Sequence, residues 1–230
     1  MNNILEFDKV TFDPESYRLT GISDVSFSIV SGSLTLILFD QASEHTPIFD
    51  LAQGLISPDS GSIKFLGKEW GQMDPFRQSE MRGKAGRVFT GEGWVSNLTV
   101  YENVTLSAHH HTLRSEDEIR EEVLSLAKCM GLDQVSELRP DVIRKNDLKR
   151  SQCVRAFLGK PVLILLEQPE LGLRTEDISQ LINLVEMAAK QGSGIIWITL
   201  NNYIWNDERL SWARRFMVQN GKMISSAEVE

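Results

Sequence analysis

Two stretches of this chain hold residue types that could do chemistry. The first is an eight-residue segment, Phe39-Asp40-Gln41-Ala42-Ser43-Glu44-His45-Thr46, between the β-rich run Leu34–Phe39 and a helix expected over Ile48–Gly54. A loop running from a strand into a helix N-terminus can bind phosphate when glycines let backbone N–H groups converge and a lysine adds charge. This loop holds neither glycine nor lysine. Its two carboxylates, Asp40 and Glu44, would oppose a polyanion, and a like-charge contact at about 4 Å costs on the order of 4 kcal/mol at an effective dielectric of 20. The second stretch is Glu167-Gln168, which closes the continuous apolar run Val162–Leu166, a pattern typical of a buried parallel strand. A carboxylate there could meet a cation, whereas a neutral amide cannot serve as a general base.

Other reactive side chains have plain readings beside the sharp ones. His45, near Asp40 and Glu44, has the chemistry of a proton switch or metal ligand, but no other histidine lies close in sequence, which favours a solvated loop residue. The tract His109-His110-His111 could take a metal, yet adjacent histidines do not share a helical face, and a polar loop is expected. The run Arg144–Arg150 could attract an acidic partner or lipid headgroups; the plain reading is a solvated face at a helix N-terminus. Trp94 is read equally as part of a partner groove or as core, and Trp197, inside an apolar run, as core. No metal site is expected.

The elements that must position these residues can be read in outline. Ile4–Phe7, Val10–Phe12, Val25–Ile29 and Leu34–Phe39 are expected strands, followed by Ser62–Leu66. Helix formers dominate from Met73 to Arg139, with the clearest helix at Ser115–Met130, where Ser115 can cap and Glu118 sits three residues later. Lys145–Leu158 and Glu176–Gln191 are further expected helices, Gly194–Thr199 a second buried strand, and Arg215–Gln219 with Lys222–Ser225 a hairpin around Asn220-Gly221. This order predicts α/β architecture with a helical insertion near residues 72–158.

At 230 residues, with 41% hydrophobic and 24% charged residues, the chain suits one domain with a sizeable core. A net charge of -8 argues against nucleic acid as a partner. Cys129 and Cys153 give no disulfide framework and suit a reducing compartment. Neither a signal peptide nor a membrane-spanning run is expected, so membrane association would come only through a partner.

Order and spacing carry a family resemblance. Val25-Ser26-Phe27 with Gly32, then Gly54-Leu55, Pro58-Asp59-Ser60-Gly61 and Gly67, then Leu98-Thr99-Val100-Tyr101-Glu102-Asn103-Val104, follow in sequence. Arg155-Ala156-Phe157, Pro161, Leu163–Leu166, and Pro169 with Gly172-Leu173 complete the series. Over essentially its whole length the chain resembles the nucleotide-binding subunit of ATP-binding cassette (ABC) transporters. The resemblance implies a P-loop NTPase-like cassette with a mixed sheet, an antiparallel β subdomain and a helical subdomain. It is read as a single domain over 1–230, with the core and β subdomain at about 1–71 and 159–230 and the helical subdomain at about 72–158.

The resemblance also locates the stations of nucleotide chemistry, and each is altered. Walker A falls on Phe39, Asp40, Gln41, Ala42, Ser43, Glu44, His45 and Thr46, with Phe39, Ala42 and Glu44 at glycine positions and His45 at the lysine. Left-handed backbone at each such position costs about 1–2 kcal/mol without glycine. Thr46 keeps a hydroxyl at the magnesium-ligand position. The Q-loop glutamine aligns with Thr90, and the signature with Ile143, Arg144, Lys145, Asn146 and Asp147. The Walker B aspartate aligns with Glu167, the catalytic glutamate with Gln168, the D-loop aspartate with Arg174 and the switch histidine with Leu200. The adenine-stacking aromatic falls near Pro14, with Tyr17 a substitute only after a loop shift.

The resemblance therefore implies a non-catalytic cassette subunit that takes no ATP or magnesium, docked on the cytoplasmic face of a transmembrane permease at the inner side of the plasma membrane. Thr90, Trp94, Val95 and Leu98 would face the permease, and the chain would dimerise with itself or with another cassette. The segment Leu98–Thr112 with Gly131-Leu132 looks most like lipid-transport cassettes of the Mla type, and also suits lipoprotein-release and cell-division cassettes. Two alternatives stand beside it: a divergent ATPase holding ATP through Thr46, Glu167 and partner residues, and a soluble scaffold that reuses the fold.

Overall fold

A computed structural model describes residues 3–14, 20–41, 46–91 and 93–225. In chain order the elements begin β1 (Asn3–Phe12), β2 (Ile22–Val30), β3 (Leu34–Phe39), α1 (Ile48–Ala52), β4 (Ser60–Phe65), β5 (Lys68–Glu69) and α2 (Pro75–Arg82). They continue with β6 (Ala85–Val88), α3 (Val100–His111), α4 (Glu116–Cys129), α5 (Lys145–Phe157), β7 (Leu163–Glu167) and α6 (Thr175–Lys190). The last are β8 (Gly194–Thr199), α7 (Asn202–Trp205), β9 (Arg214–Gln219) and β10 (Lys222–Ser225). The chain packs as two units, one from residues 1–82 and 194–230, the other from 83–193. Of the helical segment expected near 72–158, α2 belongs to the first unit, and α3, α4 and α5 belong to the second with β6 and β7.

In the first unit, β1 lies between β2 and β4, antiparallel to both. The two short runs expected at its ends form one strand, because Lys9 turns to φ 51° and the register shifts between Phe7 and Val10. That bulge needs glycine opposite: a Cβ on Gly61 would stand 2.4 Å from the Lys9 carbonyl oxygen. Strand β3 is flanked by β8 and β9, parallel to both, with Leu36 opposite Trp197 on one side and Arg215 on the other. Leu36, Ile37, Ile48, Leu51 and Trp197 are fully buried, so the continuous apolar runs do mark strands covered on both faces. Gly54 ends the first helical turn at φ +60° against the Trp70 ring, whose Nε1 donates to the Ala52 carbonyl at 3.0 Å.

In the second unit, β6 runs parallel to β7, from Ala85 opposite Leu163 to Val88 opposite Leu166. This strand was hidden in a segment read as helical. Its four residues show no apolar alternation, and Gly86 lets the backbone approach α5 where a side chain would collide with Ala156. Helices α3 and α4 both start with complete capping boxes, Thr99 with Glu102 and Ser115 with Glu118. The histidine tract forms the last turn of α3 instead of a loop, because that box starts the helix early enough to include it, and histidines suit a helix C-terminus.

Hydrogen bonds from Thr99 hold the Glu102 carboxyl below its usual range. A carboxyl depressed on folding adds stability above its unfolded pKa and loses it as pH falls through the folded value. Thr99→Ala removes the hydroxyl that caps the Glu102 N–H, which is expected to cost about 1 kcal/mol. The Thr99 backbone N–H that chiefly holds the carboxyl stays, so only the hydroxyl's share of the penalty should shrink in acid. Urea unfolding of wild type and variant at neutral and acid pH checks both parts.

Candidate functional site

The first unit carries the strand-to-helix loop. Phe39 ends β3 almost wholly buried, and Asp40 follows, its N–H bonded to the Val218 carbonyl at 3.3 Å. Gln41 is exposed; Ala42, Ser43, Glu44 and His45, like Tyr17, lie outside the described residues. Thr46 is 6% exposed, and its Oγ1 has no hydrogen-bond partner among the described residues. The helix that follows is five residues long, with Pro47 at its N-cap and no side-chain cap. Leu200, just past β8, is half-buried and offers no polar atom.

The second unit carries the carboxylate that ends β7. Glu167 Oε2 accepts a hydrogen bond from Arg87 Nη2 at 3.0 Å, with the Arg87 side chain only 9% exposed. Strand β6 creates this pair, since its register places Arg87 beside Leu165 near the same strand end. Nothing local in the sequence announces Arg87, which lies 80 residues from its partner. Gln168 follows at φ 43° and 5% exposure, and its carbonyl accepts from the Leu171 N–H. A non-glycine residue held there is strained, and such strain persists only where the surroundings enforce it.

Beyond β6 the chain passes Phe89, Thr90 and Gly91 toward α3. Thr90 is exposed, Trp94 and Leu98 are half-buried, and Val95 is 44% exposed. Trp94 divides between the two readings made of it: the Arg155 guanidinium covers its ring at 4.8 Å. Arg155 and Arg87 also approach the Phe89 ring, at 5.5 and 4.6 Å. Burial pulls Arg155 down to about 10, which leaves it charged at neutral pH.

The signature-position residues sit at the start of α5. Arg144 is its N-cap without a side-chain cap bond, and Arg144 and Lys145 are exposed. Asn146 Nδ2 donates to Asp177 Oδ2 at 2.8 Å and to the Gly172 carbonyl at 3.1 Å. Asp147 pairs with Arg150, which also donates to the Gly131 carbonyl at 2.7 Å. The Arg174 guanidinium makes a surface pair with Glu176, and its backbone N–H donates to Asp177 Oδ2 at 3.0 Å. The solvated face expected over Arg144–Arg150 is not uniform, because Lys149 is 7% exposed and donates to the Phe89 carbonyl at 2.9 Å. Its ammonium, driven below its usual pKa by burial, points into the packing of the unit.

Set against a nucleoside triphosphate with its divalent ion, these residues fit poorly. The carboxylate on β7 is bound to a guanidinium, the next residue is an amide, and Asp40 adds negative charge at the loop. Among the described residues, no three His, Cys, Asp or Glu side chains gather closely enough to hold a metal. The Thr46 hydroxyl, without a partner among the described residues, points the other way. No helix of the described residues is long and apolar enough to cross a membrane.

No model of a known protein family matches the chain. Curated proteins do. The macrolide export ATP-binding/permease protein MacB of Chlorobium phaeobacteroides is 23% identical over 99% of the chain, and the molybdate/tungstate import ATP-binding protein WtpC of Thermococcus kodakarensis is 25% identical over 77%. The chain spans only 34% and 52% of their lengths. Among solved structures, a dimeric ATP-binding cassette in a post-hydrolysis state with ADP and phosphate superposes at a TM-score of 0.84, with 18% identity, over 96% of this chain and 98% of that one. Relatives and fold agree: the chain is similar over most of its length to ATP-binding proteins of transporters and has the mixed α/β architecture of the solved ATP-binding cassettes.

Proposed function

We propose that the chain is a non-catalytic cassette that serves an ABC transporter as a structural or regulatory subunit. The observation that carries this reading is the Arg87–Glu167 ion pair. A cassette that bound magnesium through the carboxylate ending β7 would need that carboxylate free; here an internal guanidinium neutralises it. Gln168, with no basic atom, supports the same reading, as does the replacement of every glycine in Phe39–Thr46.

In this proposal the chain sits on the cytoplasmic face of a membrane permease through Thr90, Trp94, Val95 and Leu98, and pairs with a second cassette, either a copy of itself or another chain. Its relatives are named as ATP-binding proteins of macrolide export and of molybdate or tungstate import, which supports a transporter setting without fixing the cargo. Lipid transport rests only on the pattern of Leu98–Thr112 with Gly131-Leu132.

A second reading is favoured by Thr46, whose buried hydroxyl lacks a partner. In it, the chain keeps weak affinity for ATP and magnesium. Isothermal titration with ATP and magnesium separates the two. The proposal expects no saturable binding up to about 1 mM, the free-energy equivalent of about 4 kcal/mol. Micromolar affinity that disappears in Thr46→Ala would overturn it. Purification from native membranes in mild detergent tests the transporter setting, with an integral membrane protein expected to accompany the chain. A stable monomer alone would favour the scaffold alternative.

A further inference from the structure

We infer that the stretches Phe89–Gly91 and Gly93–Thr99 are held as a fixed strut, latched by the protein's own side chains in the absence of any ligand. Connecting segments usually leave much of their backbone to water. Here three residues on successive turns of α5 reach the same stretch. Lys149 Nζ donates to the Phe89 carbonyl at 2.9 Å, Gln152 Nε2 to the Gly91 carbonyl at 3.1 Å, and Arg155 Nη1 to the Gly93 carbonyl at 2.8 Å. Their spacing of three residues places them along one face of the helix, and the carbonyls they take alternate along the segment.

The far end is held from α3. Asn103, 4% exposed, accepts from the Val95 N–H at 2.8 Å and donates to the Val95 carbonyl at 3.0 Å and the Thr99 carbonyl at 2.8 Å. Its amide thus pairs with both groups of one peptide-bearing residue, much as a neighbouring strand would. The Arg155 guanidinium, over both Phe89 and Trp94, ties the side chains of the segment together as well.

All of these contacts lie within the second unit, so the latch does not depend on how that unit meets anything else. Two of its three α5 side chains, Lys149 and Gln152, are almost wholly buried, and no solvent-exposed ion pair is needed to keep them in place. The consequence deepens the non-catalytic reading and rests on it: Val95 is presented to a partner in one conformation, whatever the nucleotide supply.

Amide exchange of the full chain tests this. Exchange at Val95 should be slow in the free protein and unchanged by ATP with magnesium. Lys149→Met and Arg155→Met should each speed it by about tenfold or more while exchange at Leu165, in β7, stays the same. Fast exchange at Val95 in wild type, or no change in either variant while both remain folded, would overturn the latch. If ATP instead slows exchange at Val95 further, the ligand-independent strut is overturned, and so is the reading that the chain takes no nucleotide. Slow wild-type exchange without any titratable ATP binding leaves both standing, whereas fast exchange without ATP binding removes the latch alone.

Discussion

Gly86→Ala is expected to destabilise the second unit by on the order of 3 kcal/mol, at the upper end of what overpacking costs. A Cβ at that position would stand 1.8 Å from the Ala156 carbonyl oxygen and 2.7 Å from its carbonyl carbon. Both are backbone atoms of α5, so no flexible side-chain tip can swing away. Either β6 must leave β7 or α5 must shift, and α5 carries Lys149, Gln152 and Arg155 with it. Gly159→Ala is the control. That residue sits at φ +79° with nothing within 4 Å of a built Cβ, so its cost should be conformational strain alone, about 1–2 kcal/mol. Urea unfolding should show a clearly larger midpoint loss for Gly86→Ala. Equal losses would mean that the strand-to-helix approach is looser than described.

The second large effect concerns the ion pair. Arg87→Met should cost about 1–3 kcal/mol. Removing one partner of a fully buried pair costs more, but the Glu167 side chain is 29% exposed, and solvent screens part of the loss. Arg87 has further contacts, so the single variant alone overstates the pair. A double-mutant cycle with Glu167→Gln isolates it, and a coupling above about 0.5 kcal/mol is expected. Additivity of the two changes would show that Glu167 is not committed to Arg87 and would weaken the central argument of the proposed function.

The strands flanking the candidate site were legible because they are continuous apolar runs. Leu34–Phe39, Leu163–Leu166 and Gly194–Thr199 are buried on both faces, and a two-sided strand needs no alternation to be recognised. The cap at Ser115 was legible for a different reason, since both of its partners lie within one helical turn. What escaped the sequence depends on distant neighbours. Strand β6 reads Ala-Gly-Arg-Val, and only the backbone of α5 beside Gly86 explains why a glycine belongs there. Arg87 carries no local signal in the sequence, and only β6 places it beside the end of β7. Lys149 sat in a run of charged residues that suggested solvent, yet its position on α5 turns it inward to a carbonyl 60 residues earlier.

The positions that the resemblance assigns to nucleotide chemistry were read from residue types, and the geometry adds what the types could not say. Asn146 and Asp147 are held by Asp177, Gly172 and Arg150 of the same chain. Both side chains are thus engaged inside the unit. Thr46 stands apart, because its hydroxyl is the one chemical feature of the loop that is described, buried and without a partner.

The division into two units, one of them split in the chain, bears on synthesis. Strand β3 takes both of its neighbours, β8 and β9, from residues made after 193. As the chain leaves the ribosome, β3 must wait with two unpaired apolar edges while the whole of 83–193 is translated. Until the last strands arrive, β3 is open to wrong pairing on both edges, and so a natural client for a chaperone.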